Sequence, residues 1–316
     1  MEKSTDSYIN LVLNCNDLVK TVGEKTILDS VSFSVSQGEC FALLGPQGCG
    51  KSTVLKIIYG QSTATSGDLF VLNLNSKVSQ DSIKQRLGVI PQDNGLDIEL
   101  TLLENLKTFC WYYDIKSTLA KQRIPELVEE LKLREYSYHT LDQLNPGLRK
   151  RAAIARALLH RPEILIFDEP TTGLDGTTRL WLWNYVLGLK KQNRTVILAT
   201  QSVSEVEALC DRVAIMDEGK ILTIGSPKEL IFDKVGSEVL EFTVKPSELN
   251  YYLEKYRQQG LVAKAIDEDR IMLCFKKVED TKKIVHSILS DEIIIRRPTL
   301  NDVFLMLVGS HLREEI

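Results

Sequence analysis

The stretch Cys40–Gly60, CFALLGPQGCGKSTVLKIIYG, restricts this chain more than any other part of it. The apolar run from Cys40 to Leu44 has the length and composition of a buried strand. It breaks at Gly45 into a glycine-bearing loop, and Val54, Leu55 and Ile58 then recur at helical spacing. A G-x-x-x-x-G-K-[ST] pattern between a strand and a helix is the context of a phosphate-binding loop. Gly45, Gly48 and Gly50, with Pro46, Gln47 and Cys49 between them, let the backbone curl around an anion with its N–H groups facing inward. The helix that follows adds its positive N-terminal end. Lys51 brings a full charge to the β- and γ-phosphates, the Ser52 hydroxyl is a Mg²⁺ ligand, and Thr53 closes the loop.

A chain of 316 residues, 43% hydrophobic and 26% charged, is globular and long enough for two domains. A net charge of −4 and a pI near 5.7 argue against nucleic acid as the main partner. The basic clusters Arg149–Lys150–Arg151, Lys190–Lys191 and Arg296–Arg297 are short and read as solvated faces. The six cysteines form no C-x-x-C pair and the four histidines are scattered. Neither a zinc site nor a disulfide framework is expected, and reduced thiols in a cytoplasmic protein are. Cys49 reads first as a small residue that fits the loop and second as a thiol open to alkylation. The N-terminus, MEKSTDSYIN, is polar and no apolar run reaches the length of a membrane span. If this protein works at a membrane, another chain must cross it.

Strand-like segments fill Leu11–Val35, with strict alternation at Val31, Phe33 and Val35, and further strands are expected at Asp68–Leu72 and Leu87–Gln92. Leu102 to Leu133 has helical spacing and reads as an insertion outside the main sheet. Its aromatics Trp111, Tyr112 and Tyr113 are expected in a core, with partner docking as the alternative. Asn145, Pro146 and Gly147 read as a turn before a helix from Leu148 to Leu159. Ile164–Phe167 is fully apolar, which suits a buried parallel strand, and ends at Asp168–Glu169. Two adjacent carboxylates at such a strand end are unfavourable unless they bind something, and in a doubly wound sheet ligands sit at that end. A helix around Trp181–Leu189, a strand at Thr195–Ala199, helical character at Glu205–Leu209 and a hairpin around Asp217–Gly219 complete a mainly parallel, three-layer α/β core. From about Lys228 the order strand, helix, two strands, helix, strand matches a small β-α-β-β-α-β unit, followed by a last helix from Thr299 with Asp302 as its capping partner. The helix before the last strand is expected over Asp280–Leu289.

Taken together, GPQGCGKST, VIPQ, LNPGLRKRAAIARAL, ILIFDEP, TTGLD and ATQS form an ordered set. It resembles the nucleotide-binding subunit of an ATP-binding cassette (ABC) transporter over Leu11 to Pro227, and is most similar to the ATPases of drug-resistance and nodulation-type exporters. The tail PTLNDVFLMLVG is similar to the closing segment of that group. The resemblance implies a P-loop NTPase core over 1–228 with a helical subdomain at about 93–160, and a small C-terminal α+β domain over 229–316 with a regulatory or dimerising role. It implies ATP and Mg²⁺ as ligands and two nucleotide-binding subunits, identical or different, that dimerise. It further implies an integral-membrane permease as partner and a peripheral position on the cytoplasmic face of the membrane.

By the same resemblance, Gly45 to Thr53 is the Walker A loop, and Gln92 senses the γ-phosphate and Mg²⁺ and faces the permease. Asp168 holds Mg²⁺, Glu169 is the general base, and Gly173, Leu174 and Asp175 form the D-loop that reaches the opposite subunit. Only 52 positions separate Gln92 from Leu144, which leaves no room for the long arm of chromosome-maintenance relatives. Three positions depart from the family. The signature LSGGQ reads LNPGL at Leu144–Leu148, so that Asn145 and Gly147 remain to cap the opposite nucleotide while Pro146 lacks an N–H. Gln201 stands where the switch histidine is expected; its amide donates but carries no proton. Val22 occupies the adenine-stacking position. These departures suggest a slow ATPase, and leave as the alternative a catalytically weakened subunit that acts as a nucleotide-gated partner in a heterodimer.

Overall fold

The computed structural model describes residues 10–286, 288 and 292–308. Strands β1 (Leu11–Val22) and β2 (Lys25–Ser36) form an antiparallel pair that turns at Gly23, whose φ of +59° needs glycine. Strand β3 (Cys40–Leu44) leads through the glycine-bearing loop into helix α1 (Lys51–Ile58). Strands β4 (Ser66–Val71) and β5 (Leu74–Asn75), helix α2 (Gln80–Lys84) and strand β6 (Leu87–Ile90) follow. The helical insertion holds α3 (Leu102–Tyr112), α4 (Ser117–Glu130) and α5 (Pro146–Leu158). Alternation then resumes with β7 (Ile164–Asp168), α6 (Gly176–Lys191), β8 (Thr195–Thr200), α7 (Val203–Leu209), β9 (Arg212–Asp217) and β10 (Lys220–Gly225).

The central sheet has the order β10-β9-β3-β8-β7-β6, parallel from β9 to β6 with β10 antiparallel at one edge. Every residue of β3, β7 and β8 is buried, because both faces of the sheet are covered. Ala42 and Leu44 face a cluster built with the helices of the insertion and with α6 and α7. Phe41 and Leu43 face α1 and the antiparallel sheet β2-β1-β4-β5. The three layers are therefore helices, parallel sheet, and a second sheet with α1 wedged beneath it.

Between α3 and α4 the chain reverses through Asp114, at φ +49°. The turn expected at Asn145–Gly147 is instead the start of α5. The Asn145 carboxamide accepts the Leu148 N–H at 2.8 Å as N-cap, and Pro146 occupies the first helical position, where its missing N–H leaves no intrahelical bond unmade. The aromatics of the insertion divide: Trp111 and Tyr112 are 74% and 70% exposed, while Tyr113 stacks on His160 with ring centroids 4.4 Å apart. All three are expected in a core because that is the commoner use of aromatics, but the first two lie on the outer side of the last turn of α3.

Helix α8 (Pro227–Lys234) spans the position near 228 from which a second unit is expected, and its Leu230 packs into the helical face of the main core. Beyond it, β11 (Glu238–Thr243), α9 (Leu249–Gln258), β12 (Val262–Ala265), β13 (Arg270–Phe275), α10 (Val278–Val285) and β14 (Ile293–Arg296) build an antiparallel sheet of order β12-β13-β11-β14 around Leu240, Phe242, Tyr256 and Leu273. The expected end of α10 at Leu289 lies outside the described residues. Helix α11 (Leu300–Val308) returns to the first body against α8 and α7, and its Val303 and Phe304 join the core that also holds Val206 and Leu209. The Leu300 N–H donates to Glu207 at 2.7 Å, and the Asp302 carboxylate accepts from the Thr299 N–H at 2.7 Å and from both amino groups of Arg296. Arg296, expected on a solvated face, is thus held between Asp302 and Glu241.

Candidate functional site

Four strand ends converge at the C-terminal edge of the parallel sheet: Gly45 after β3, Gln92 after β6, Asp168–Glu169 at β7 and Gln201 after β8. The loop after β3 is held open from outside. A Cβ on Gly45 would stand 2.2 Å from the Met216 carbonyl oxygen, and the Cys49 carbonyl accepts the Gly219 N–H at 3.0 Å. Gly219 and Glu218 both take positive φ in the β9–β10 turn, so that hairpin braces the loop from below. Gly50, at φ +110°, is the N-cap of α1 and makes no side-chain cap, and the first turn contains no acidic residue. The orphan N–H groups of this helix end are therefore left for an anion.

Lys51 is buried and its ammonium donates to the carbonyls of Gly45 and Pro46 at 2.8 and 3.0 Å, with Glu169 Oε1 at 3.4 Å. The Ser52 hydroxyl donates to Asp168 Oδ1 at 2.9 Å. Burial pushes both Asp168 and Glu169 above the ordinary carboxyl range, opposed by the Ser52 hydroxyl and Lys51 at the first and by Lys51 at the second. Glu169 sits at φ +45° with its N–H on the Ala199 carbonyl at 2.8 Å, which turns its side chain out of the strand into the cleft. The cleft, about 150 Å³, is lined by Gln47, Gly48, Gly50, Lys51, Ser52, Thr53, Gln92, Glu169, Thr172 and Gln201. A hydroxyl already in contact with a carboxylate, beside the Gln92 amide, is an all-oxygen donor set of the kind Mg²⁺ takes. The residues present fit that ion.

Four expected residues lie elsewhere. Asn145 and Gly147 line a separate groove with Arg151 and Thr178. Asp175 caps α6 by accepting the Thr178 N–H at 2.9 Å and its hydroxyl at 2.8 Å. Gly147 permits this meeting of the two segments, since a Cβ there would stand 2.8 Å from the Thr178 side chain. Val22 is 61% exposed at the β1–β2 turn and lines neither groove. Cys49 is 5% exposed and its thiol is raised by burial, so the small-residue reading holds and ready alkylation does not.

Thr172 lines the cleft and was legible only as part of TTGLD. Lys150, expected on a solvated face, is buried; burial lowers its ammonium to about 8 against the pull of Asp93, Glu205 and Asp168. Its position on the same helical face as Ala153, Ile154 and Ala157 was the available signal. Glu205 is fully buried, and burial pushes its carboxyl to about 7. Among the described residues no group of three or more His, Cys, Asp or Glu is placed to hold a metal by itself, and no helix is long and apolar enough to cross a membrane.

Residues 28–172 match the ABC transporter family model. Curated relatives span nearly the whole chain. The Nod factor export ATP-binding protein I of a Rhizobium species is 33% identical over 297 residues, covering 93% of this chain and 96% of that protein. The protein of the same name from Ralstonia nicotianae is 32% identical over 310 residues, covering 96% and 95%. Among solved structures, an ATP-binding subunit of an ABC transporter superposes with a TM-score of 0.64 at 26% identity, over 70% of this chain and 92% of that one. A bacterial ABC transporter cassette solved as a dimer gives 0.62 at 26% identity, over 68% and 98%.

Proposed function

Since the chain belongs to the ATP-binding subunits of ABC transporters, we propose that it binds Mg·ATP in the β3–α1 loop, hydrolyses it slowly, and drives a separate integral-membrane permease of the export type. The observation that carries this reading is the Ser52–Asp168 contact at 2.9 Å beside Lys51 and Glu169, because it joins the phosphate loop to the carboxylate pair across 116 positions of sequence. Bound Mg²⁺ supplies charge neutralisation at the phosphates. Lys51 exchanges its carbonyl and carboxylate contacts for phosphate oxygens. Glu169, raised by burial and pointed into the cleft, accepts the proton of the attacking water. Gln201 and Gln92 donate amide hydrogens to the nucleotide and its water.

The second catalytic surface is Asn145 and Gly147, which line a different groove from the phosphate loop, together with Asp175, which accepts from Thr178 of that groove. A complete site thus forms when two cassettes pair, each giving this surface to the nucleotide of the other. The partner cassette is a second copy or a related subunit. The groove of about 800 Å³ beside Gln92, bordered by Lys84, Asp93, Tyr113 and Arg156, is the contact for the permease, which would hold the chain at the cytoplasmic face of the membrane. The C-terminal unit from β11 onward acts on the cassette through α11, as a regulatory or dimerising element.

The test uses Glu169→Gln. With Mg·ATP the variant elutes as a dimer while Lys51→Ala stays monomeric, and wild type turns over ATP above the Lys51→Ala background. A Glu169→Gln protein that binds ATP yet remains monomeric would remove the two-cassette site.

A further inference from the structure

The sheet of the C-terminal unit has two edges, β12 and β14, and they are finished differently. Next to β12 the Ile266 N–H donates to the Arg270 carbonyl at 2.9 Å. With the pairing of β12 on β13, this turns the main-chain groups of Val262 and Lys264 toward β13 and those of Ala263 and Ala265 outward. The outward Ala263 carbonyl is closed off by the Arg257 guanidinium, which donates to it at 3.1 and 3.2 Å. Next to β14 the Thr243 N–H donates to the Glu292 carbonyl at 3.4 Å. Ile294 and Arg296 therefore bond to β11, while the N–H and C=O groups of Ile293 and Ile295 point away from the sheet. Among the described residues nothing meets them there. The side chains of Ile293, Ile294 and Ile295 are all exposed. The charge on this strand does not guard it, because Arg296 is held by Asp302 and Glu241. An apolar edge with unpaired main-chain groups is a template for another strand.

We propose that β14 pairs with β14 of a second copy of this chain, antiparallel across a two-fold axis at Ile294. This register suits the strand better than its neighbours. It sets Ile293 of each copy against Ile295 of the other, so that two pairs form and each exchanges both of its N–H···O=C bonds. An axis at Ile293 or at Ile295 leaves one such pair within the strand. With the axis at Ile294 the two Ile294 side chains meet in the non-hydrogen-bonded position, where opposed residues stand closest. Glu292 of each copy then lies across from Arg296 of the other, a pairing of opposite charge. The two C-terminal units share one continuous sheet. The contact is small beside the roughly 1,000 Å² of a stable interface, so it is weak in dilute solution. It takes effect where a permease holds two copies side by side, at an effective concentration of about a millimolar.

This inference rests on the dimerising reading of the C-terminal unit and needs no nucleotide. Full-length Ile293→Cys, Ile294→Cys and Ile295→Cys are oxidised with copper phenanthroline in the absence of ATP. The disulfide-linked dimer, twice the 35.7 kDa of one chain, is read on a non-reducing gel. Wild type gives the background, and none of its own cysteines is exposed. Ile294→Cys links about tenfold faster than either neighbour, because only position 294 faces itself across the axis. Ile294→Lys sets two ammonium groups against each other, so sedimentation velocity at about 200 µM shows dimer for wild type and monomer for this variant. Glu169→Gln combined with Ile294→Lys still pairs when Mg·ATP is added. If Ile294→Cys links no faster than its neighbours, or if wild type and Ile294→Lys sediment alike, the β14 pairing is overturned and the two-cassette site is untouched. An Ile294→Cys adduct of any other mass in membranes of the producing cell assigns the edge to a different protein and also overturns it. If copies link at β14 while Glu169→Gln fails to pair with Mg·ATP, the two-cassette reading falls and the shared sheet stands.

Discussion

The Lys51 ammonium stands 3.4 Å from the Glu169 carboxylate while donating to two carbonyls of its own loop. The principal cation of the cleft is thus satisfied by internal contacts, and on the proposed reading nucleotide must replace them. Charge-assisted hydrogen bonds are worth about 1.5–3 kcal/mol, so Lys51→Ala is expected to weaken ATP binding by roughly ten- to a hundredfold rather than abolish it. Calorimetric titration with Mg·ATP checks this. An unchanged affinity would mean that the loop N–H groups alone hold the triphosphate.

Asn145 and Pro146 have separable jobs. As N-cap, Asn145 stabilises α5, and Asn145→Ala is expected to lower stability by about 1 kcal/mol, whereas Asn145→Ser leaves it nearly unchanged. Pro146 sits where proline suits a helix, so Pro146→Gly lowers stability by about 0.5–1 kcal/mol. On the two-cassette reading proposed above, the same substitution restores an N–H at the position proposed to cap the opposite nucleotide, and turnover is expected to rise by up to about a hundredfold. Urea unfolding and steady-state ATPase assays on one preparation separate the two effects.

Gln201 lines the cleft opposite Lys51 and Ser52. A carboxamide can donate hydrogen bonds but cannot take or give a proton during a reaction. Gln201→His is expected to raise kcat about tenfold or more at pH 7 to 8, with KM little changed. A flat response in a phosphate-release assay would place the limiting step elsewhere, in cassette closure or product release.

The strand, loop and helix of the phosphate site were legible because their residues are contiguous and the period changes at Gly45. The Asp168–Glu169 pair was legible for the same reason, as charge at the end of an apolar run. What escaped was decided by packing between distant segments. Lys150 lies between two arginines and looks solvated, yet helix period puts it on the face of Ala153 and Ile154. Asn145–Pro146–Gly147 has turn composition, and the same residues are favourable as the first turn of a helix. The return of α11 onto α7 and α8 brings Leu300 to Glu207, 93 positions away, which no local pattern announces.

The buried Glu205 carboxyl makes stability depend on pH in a direction opposite to that of a salt-bridged acid. Its ordinary value of 4.5 is raised to about 7 in the folded chain, chiefly by burial. Below about pH 4.5 both folded and unfolded chains carry the proton, and this group's contribution is fully present. Between 4.5 and 7 the unfolded chain ionises while the folded one does not, so stability is lost as pH rises; above 7 both are ionised and the loss is complete. The amount is roughly 3 kcal/mol. A glutamine has the same shape and no proton to lose, so Glu205→Gln shares every other titration with wild type but not this one. The difference in unfolding free energy between the two proteins is expected to be near zero at pH 4.5 and to grow to about 3 kcal/mol in favour of Glu205→Gln at pH 8. Urea unfolding at pH 5, 6, 7 and 8 reads that difference directly. A gap that stays constant across the series would mean that Glu205 is ionised throughout, with its Thr200, Thr171 and Trp183 hydrogen bonds outweighing burial.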